Sequence, residues 1–133
     1  MVSIRKSLPG TGRRGATTIE YALVLPALLL FILGLMDAGR LLWTYTTLYR
    51  AAEAAARCAA INTTDCGTTT QIKNRAVTEA WGLDVSPSAF TVSMPSCGVR
   101  VHASYDFTFV IPGIGDAIPL GTVTLNATAC YPQ

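Results

Sequence analysis

The sequence predicts an α+β protein: a long N-terminal helix of transmembrane and pilin-like character, a shorter second helix and a three-stranded antiparallel sheet. Three observations carry that expectation. An uncharged apolar run from Ala22 to Met36 follows a basic N-terminal stretch. Alanine, the best helix former, then dominates the stretch from Ala51 to Ala60. From Phe90 onward apolar residues recur at every second position, the period of half-buried strands.

Half of the 133 residues are hydrophobic and 14% are charged. The apolar excess lies before residue 44, which suits one anchor plus one small domain. The formal net charge of +2 is unevenly divided. Arg5, Lys6, Arg13 and Arg14 stand in residues 1–15 with no acidic residue among them, and the remainder is net acidic. The basic balance therefore belongs to a leader, and no nucleic-acid partner is expected. Positive charge before an apolar span keeps that end in the cytoplasm and sends the C-terminal part across.

Taken in order, residues 1–15 read as a basic leader, flexible around Pro9, Gly10 and Gly12. Arg13-Arg14 makes only a weak twin-arginine signal, because Gly15-Ala16-Thr17 lacks the apolar continuation. Residues 16–61 read as a transmembrane and projecting assembly helix. Unbroken, it would run for roughly 70 Å at 1.5 Å per residue. The uncharged core falls short of the roughly 20 residues a bilayer needs. Gly34 to Trp43 is expected to complete the span, with Trp43, Tyr45 and Tyr49 as interfacial aromatics.

Asp37 and Arg40 can pair three residues apart, and Glu53 and Arg57 four apart. Pro26 removes a backbone hydrogen bond and either kinks the helix or, with Gly34, is ordinary transmembrane composition. Tyr45, Leu48, Ala52, Ala55 and Ala59 form a stripe of mostly small side chains. Such a stripe admits another chain's backbone or rests on the protein's own domain.

Residues 62–133 read as a small domain beyond the membrane. Asn62 to Gly67 is expected to be a loop, and Thr68 with Gln71 a capping box that starts the second helix. Ile72, Ala76, Val77 and Ala80 give that helix an apolar face, and Gly82 closes it. Strands are expected around Phe90–Met94, Val99–Ile111 and Val123–Tyr131. Turns at Pro95–Gly98 and Pro112–Pro119 join them. One face of the meander is apolar and needs covering, and the two helices are the available cover.

Cys58, Cys66, Cys97 and Cys130 all follow the apolar run. Their even number suits disulfides in an oxidising compartment, and three connectivities are open. Cys58–Cys66 and Cys97–Cys130 are favoured, with reduced buried thiols as the alternative. One histidine and no C-x-x-C argue against a zinc site, and no cofactor is expected. His102 falls on the polar side of its strand, where a solvated histidine is the simpler assignment than a general base. No catalytic motif or paired acidic constellation occurs, so no enzymatic activity is expected.

Three segments carry a resemblance: Gly15-Ala-Thr-Thr-Ile-Glu20-Tyr21-Ala-Leu-Val-Leu-Pro26, Leu35-Met-Asp37-Ala-Gly-Arg40, and Ala51-Ala-Glu-Ala-Ala-Ala-Arg57. Together they resemble the TadE-like minor pilins, or pseudopilins, of the tight-adherence (Flp) type IV pilus. The likeness covers about residues 13–60, and the four cysteines lie outside its pattern. It implies cleavage after Gly15 by a membrane aspartyl prepilin peptidase, leaving Ala16 as the new amino terminus. It further implies that Glu20, supported by Tyr21, serves assembly. A buried carboxylate needs a cation, and the free amine of a neighbouring subunit supplies one. The alternative is a Glu20 that snorkels to the lipid headgroups.

The implied partners are the prepilin peptidase, other pilins, pilus assembly platform proteins and membrane lipid. The implied location is the bacterial inner membrane, N-terminus inside, with incorporation into a pilus that supports adhesion and surface attachment. A membrane-anchored enzyme is disfavoured by the absence of paired catalytic residues, and two further rivals stand beside this. An ordinary signal peptidase would release a soluble binding domain, but the cut after Gly39 places Asp37 at the third position before it, which is poor. The other rival is an uncleaved single-pass component of the same assembly machinery.

Overall fold

The computed structural model describes residues 14–110 and 122–132. The leader expected over residues 1–12, Arg13, and the Pro112–Pro119 turn lie outside the described residues. The elements run α1 (Arg14–Ile61), α2 (Thr63–Cys66), α3 (Thr69–Glu79), a 3-10 turn (Pro87–Ala89), β1 (Phe90–Ser93), β2 (Val99–Thr108) and β3 (Thr122–Tyr131). The architecture is α+β, with an antiparallel sheet in the order β1-β2-β3. The chain divides into two compact units, residues 1–35 and 36–133.

The first unit's described part is the N-terminal portion of α1. It is helical through Pro26. From Ile19 to Leu35 every large apolar side chain is exposed. Such residues point to all sides of the helix, so no face is reserved for a core.

The second unit is built on the other portion of α1. Asp37, Thr44, Leu48, Ala51 and Ala55 are buried at alternating spacings of seven, four, three and four, and Leu41 is half-buried in the gap. That spacing keeps one helix face inward. Ala52, Ala56 and Ala59 widen it. The alanines join Phe90, Val99, Val101 and Ala103 of the sheet and Ile72, Ala76 and Ala80 of α3 in one hydrophobic cluster. The small-residue stripe therefore rests on the protein's own domain. Tyr45, expected on that stripe, stays 44% exposed, while Ala51 and Ala56 take part instead. Alanine's small side chain is what lets the sheet's larger residues fill the space between layers.

The sheet follows the expected alternation. On β2, Val99, Val101, Ala103 and Phe107 are buried while Arg100, Asp106 and Thr108 are exposed. On β3, Ala127 and Ala129 are buried. His102 lies opposite Thr128, and its Nδ1 is 2.9 Å from the threonine hydroxyl. Across the same pair of strands the Thr124 hydroxyl donates to Asp106 at 2.7 Å. The β1–β2 turn closes with the Gly98 amide donating to Pro95 at 3.0 Å. Gly98 has φ +112°, and a Cβ there would collide with the Tyr131 carbonyl. A side chain is excluded twice over, by conformation and by space.

The capping box at α3 is formed. The Gln71 amide donates to the Thr68 hydroxyl, and the Gln71 side chain accepts from the Thr68 amide. Two expectations are corrected. Asn62–Gly67 is not an irregular loop but contains the single turn of α2, because Asn62 caps it by accepting from the Thr64 and Asp65 amides. The i,i+4 pair of Glu53 and Arg57 is not made. Among the described residues the ion pairs are Arg40–Asp37 at 2.8 Å and Arg75–Glu79 at 2.6 Å.

Disulfides join Cys58 to Cys66 and Cys97 to Cys130. The first ties the end of α1 to α2. The second ties the β1–β2 turn to the far end of β3. These are the two pairs favoured from spacing.

Candidate processing and assembly segment

Gly15 and Ala16 fall in the first turn of α1, directly after Arg14. Glu20 and Tyr21 follow one turn later. Both side chains are exposed, Tyr21 by 76%. Glu20 has no hydrogen-bond or ion-pair partner among the described residues. A carboxylate so placed heads a helix whose most apolar window has mean hydropathy 2.3 and none of its residues buried within the chain. Burying a Leu, Val, Ile or Phe side chain is worth roughly 1.5–3 kcal/mol. Leaving the whole run from Ile19 to Leu35 in water would therefore cost on the order of tens of kcal/mol. The segment needs cover that the described residues do not supply.

The folded unit begins immediately after this run. Asp37 is 4% exposed, and its carboxylate accepts from Arg40 at 2.8 Å and from the Val110 amide at 3.0 Å. Arg40 in turn lies over the Phe107 ring, 5.3 Å from its centre. One carboxylate thus holds the segment after β2 to α1 and orients a guanidinium against an aromatic face. Within Gly34 to Trp43, expected to complete the apolar span, Asp37 and Arg40 therefore already meet the protein's own β2 and the segment after it.

Trp43, expected as an interfacial aromatic, packs edge-on against Trp81 with ring centres 6.0 Å apart. Both indoles stand at a groove of about 710 Å³ between α1 and α3, whose walls carry Arg50, Arg57 and Arg75 beside Glu53 and Glu79. Among the described residues no cluster of His, Cys, Asp or Glu could hold a metal ion. Neither the Asp37–Val110 tie nor the Trp43–Trp81 pair was legible in the sequence. Each joins residues far apart in the chain, without a motif to announce it.

A single apolar helix with its side chains turned outward, leading into a small disulfide-bonded unit, fits a single-pass membrane protein. Residues 15–57 match the family model for TadE-like protein. No curated protein and no solved structure matches the chain. The matched region includes Gly15, Glu20, Tyr21, the apolar run and the alanines from Ala51 to Ala56, and stops one residue short of Cys58.

Proposed function

We propose that this chain is a minor pilin, or pseudopilin, of a Tad/Flp-type pilus. Prepilin peptidase cuts it after Gly15, and α1 then holds it in the inner membrane or carries it into the pilus. Its role is structural, in assembly, adhesion and surface attachment, and its partners are other pilins and the assembly platform. The observation that carries this reading is the N-terminal portion of α1. A helix opening with Gly15, Glu20 and Tyr21 displays an uncovered apolar surface and lies within the TadE-like match. Two disulfides support a C-terminal unit in an oxidising compartment, and the basic leader supports a cytoplasmic N-terminus.

Glycine at position 15 suits a protease subsite without room for a side chain. The amine released on Ala16 is a cation able to meet Glu20 of a neighbouring subunit, which offsets the cost of a carboxylate among apolar helices. The mature N-terminus, read by intact mass or N-terminal sequencing of native membrane material, tests the proposal. A start at Ala16 is expected. A start near residue 40 would make the chain a secreted domain, and an intact leader would make it a permanent membrane component. Gly15→Leu is expected to abolish the cut. Glu20→Ala is expected to permit it and to impair assembly, so processed, normally piliated cells carrying Glu20→Ala would remove the role given to that carboxylate.

A further inference from the structure

We propose that the free edge of β3 is a docking site for a β-strand of a second, non-identical pilin subunit, a strand that is uncharged and alternates hydroxyl with apolar side chains. This rests on the pilin reading above.

The sheet runs in the order β1-β2-β3, so β3 bonds to a neighbouring strand on one side only. Among the described residues, β2 is its only backbone partner. An extended row of N–H and C=O groups has one complement, another extended backbone. Edge strands are ordinarily defended by shortness, proline, charge or a bulge. β3 has none of these. It is 10 residues long, about twice the usual strand. Its sequence holds no proline, glycine or charged residue. Its register with β2 is unbroken from Thr108↔Thr122 to Val99↔Tyr131, which leaves no bulge. The opposite edge is defended. β1 has 4 residues, and Pro95 follows shortly after it.

The core side of β3 is unfinished at the same edge. Val123 and Tyr131 are half-buried, whereas Phe107 and Val99 opposite them on β2 are buried. A strand laid on the edge covers the apolar area that remains open. The other side of β3 presents Thr122, Thr124, Asn126 and Thr128, all exposed and uncharged. Neighbours on one side of a sheet stabilise it when they match in character. The added strand therefore sets apolar residues beside Val123 and Leu125, and hydroxyl or amide residues beside the threonines. A charged strand would find no counter-charge on β3.

A second copy of this chain does not supply that strand. Antiparallel pairing of β3 with β3 is isologous and closes as a dimer, whereas a pilus is open-ended. The other edge of the sheet, β1, would cover at most 4 of the 10 residues.

Amide hydrogen exchange on the full chain in detergent micelles tests the site. The probe is a synthetic peptide with the sequence of residues 122–131 carrying Cys130→Ser, which has the required alternation. Without it, the β3 amides that point away from β2 are expected to exchange freely. With it, they are expected to slow by about 5- to 10-fold, the effect of one net hydrogen bond each. A peptide of the same composition with its alternation scrambled is expected to leave them unchanged. No slowing by the first peptide, or equal slowing by both, overturns the site. Slow exchange without peptide at every protein concentration means that the chain covers its own edge, and also overturns it. Protection that rises with protein concentration, together with a dimer in sedimentation, puts a second copy on the edge and overturns the non-identical partner. The mature N-terminus of native material reads the pilin assignment separately. A start at Ala16 with an inert edge keeps the pilin and removes the docking strand. A start near residue 40 with an edge that takes the peptide keeps the strand site and removes a pilin as its donor.

Discussion

The two portions of α1 are one helix by backbone and two different objects by side chain. From Ile19 to Leu35 the large residues are Leu, Ile, Val, Phe and Tyr, and all are exposed. From Leu48 to Ala59 the inward residues are one leucine and a series of alanines, and all are buried. Bulk is on the portion whose side chains are exposed, and smallness on the portion that carries the core. A lipid- or partner-covered helix gains most from large side chains, since burial scales with apolar area. A helix laid on a sheet gains from small ones, since the sheet's own residues already fill the interlayer space. Side-chain volume, more than hydropathy, separates the two roles.

The largest way to break that contrast is to place charge on the first portion. Leu29→Lys with Leu30→Lys introduces two cations, each costing about 3 kcal/mol at the centre of a span. The double variant is expected to leave the membrane fraction in flotation, or to be degraded. Its folded unit should survive, because neither residue contacts the core cluster. Loss of the core's thermal transition alongside the loss of anchoring would mean that the two portions are energetically one.

The disulfides offer a smaller effect of the opposite kind. Closing the loop from Cys97 to Cys130, separated by 33 residues, is worth about 4 kcal/mol in the chain-entropy estimate. The eight-residue separation from Cys58 to Cys66 is worth about 2.6 kcal/mol in the same estimate. Replacing Cys97 and Cys130 by serine should therefore lower the denaturation midpoint more than replacing Cys58 and Cys66. Both variants should stay in the membrane fraction. Equal losses from the two pairs would point to strain relief or residual denatured structure in place of loop entropy.

Much of this arrangement was legible in advance. Period-two alternation located β2 and β3, because a half-buried strand must alternate. The Thr68–Gln71 spacing located the start of α3, because a capping box is local chemistry. The resemblance was read from the segment that the TadE-like family model matches, residues 15–57. What stayed illegible was nonlocal. Nothing in the chain announces that Asp37 accepts from Val110 or that Trp43 meets Trp81. The turn of α2 escaped because Asn62 suits a loop and a helix cap equally well until its acceptors are seen. Asp37 reads as one more polar residue on a long helix until the contacts after it are known.

The finest test of the contrast changes one alanine to leucine in each portion. Ala52 is fully buried against the core, and Ala27 is exposed. Ala52→Leu adds volume to a packed site and is expected to cost about 1–3 kcal/mol. For a unit of this size, that should lower the melting temperature by roughly 4–8 °C per kcal/mol. Ala27→Leu adds the same volume on the outward-facing portion, where lipid accommodates it, and the transition of the folded unit should not move. Near-ultraviolet circular dichroism of the reconstituted chain reads both. A destabilised Ala27→Leu would show that the first portion has a packing partner of its own, either another copy of this chain or a different pilin. A neutral Ala52→Leu would show that the alanine face tolerates bulk, and the division by side-chain volume would then lose its physical basis.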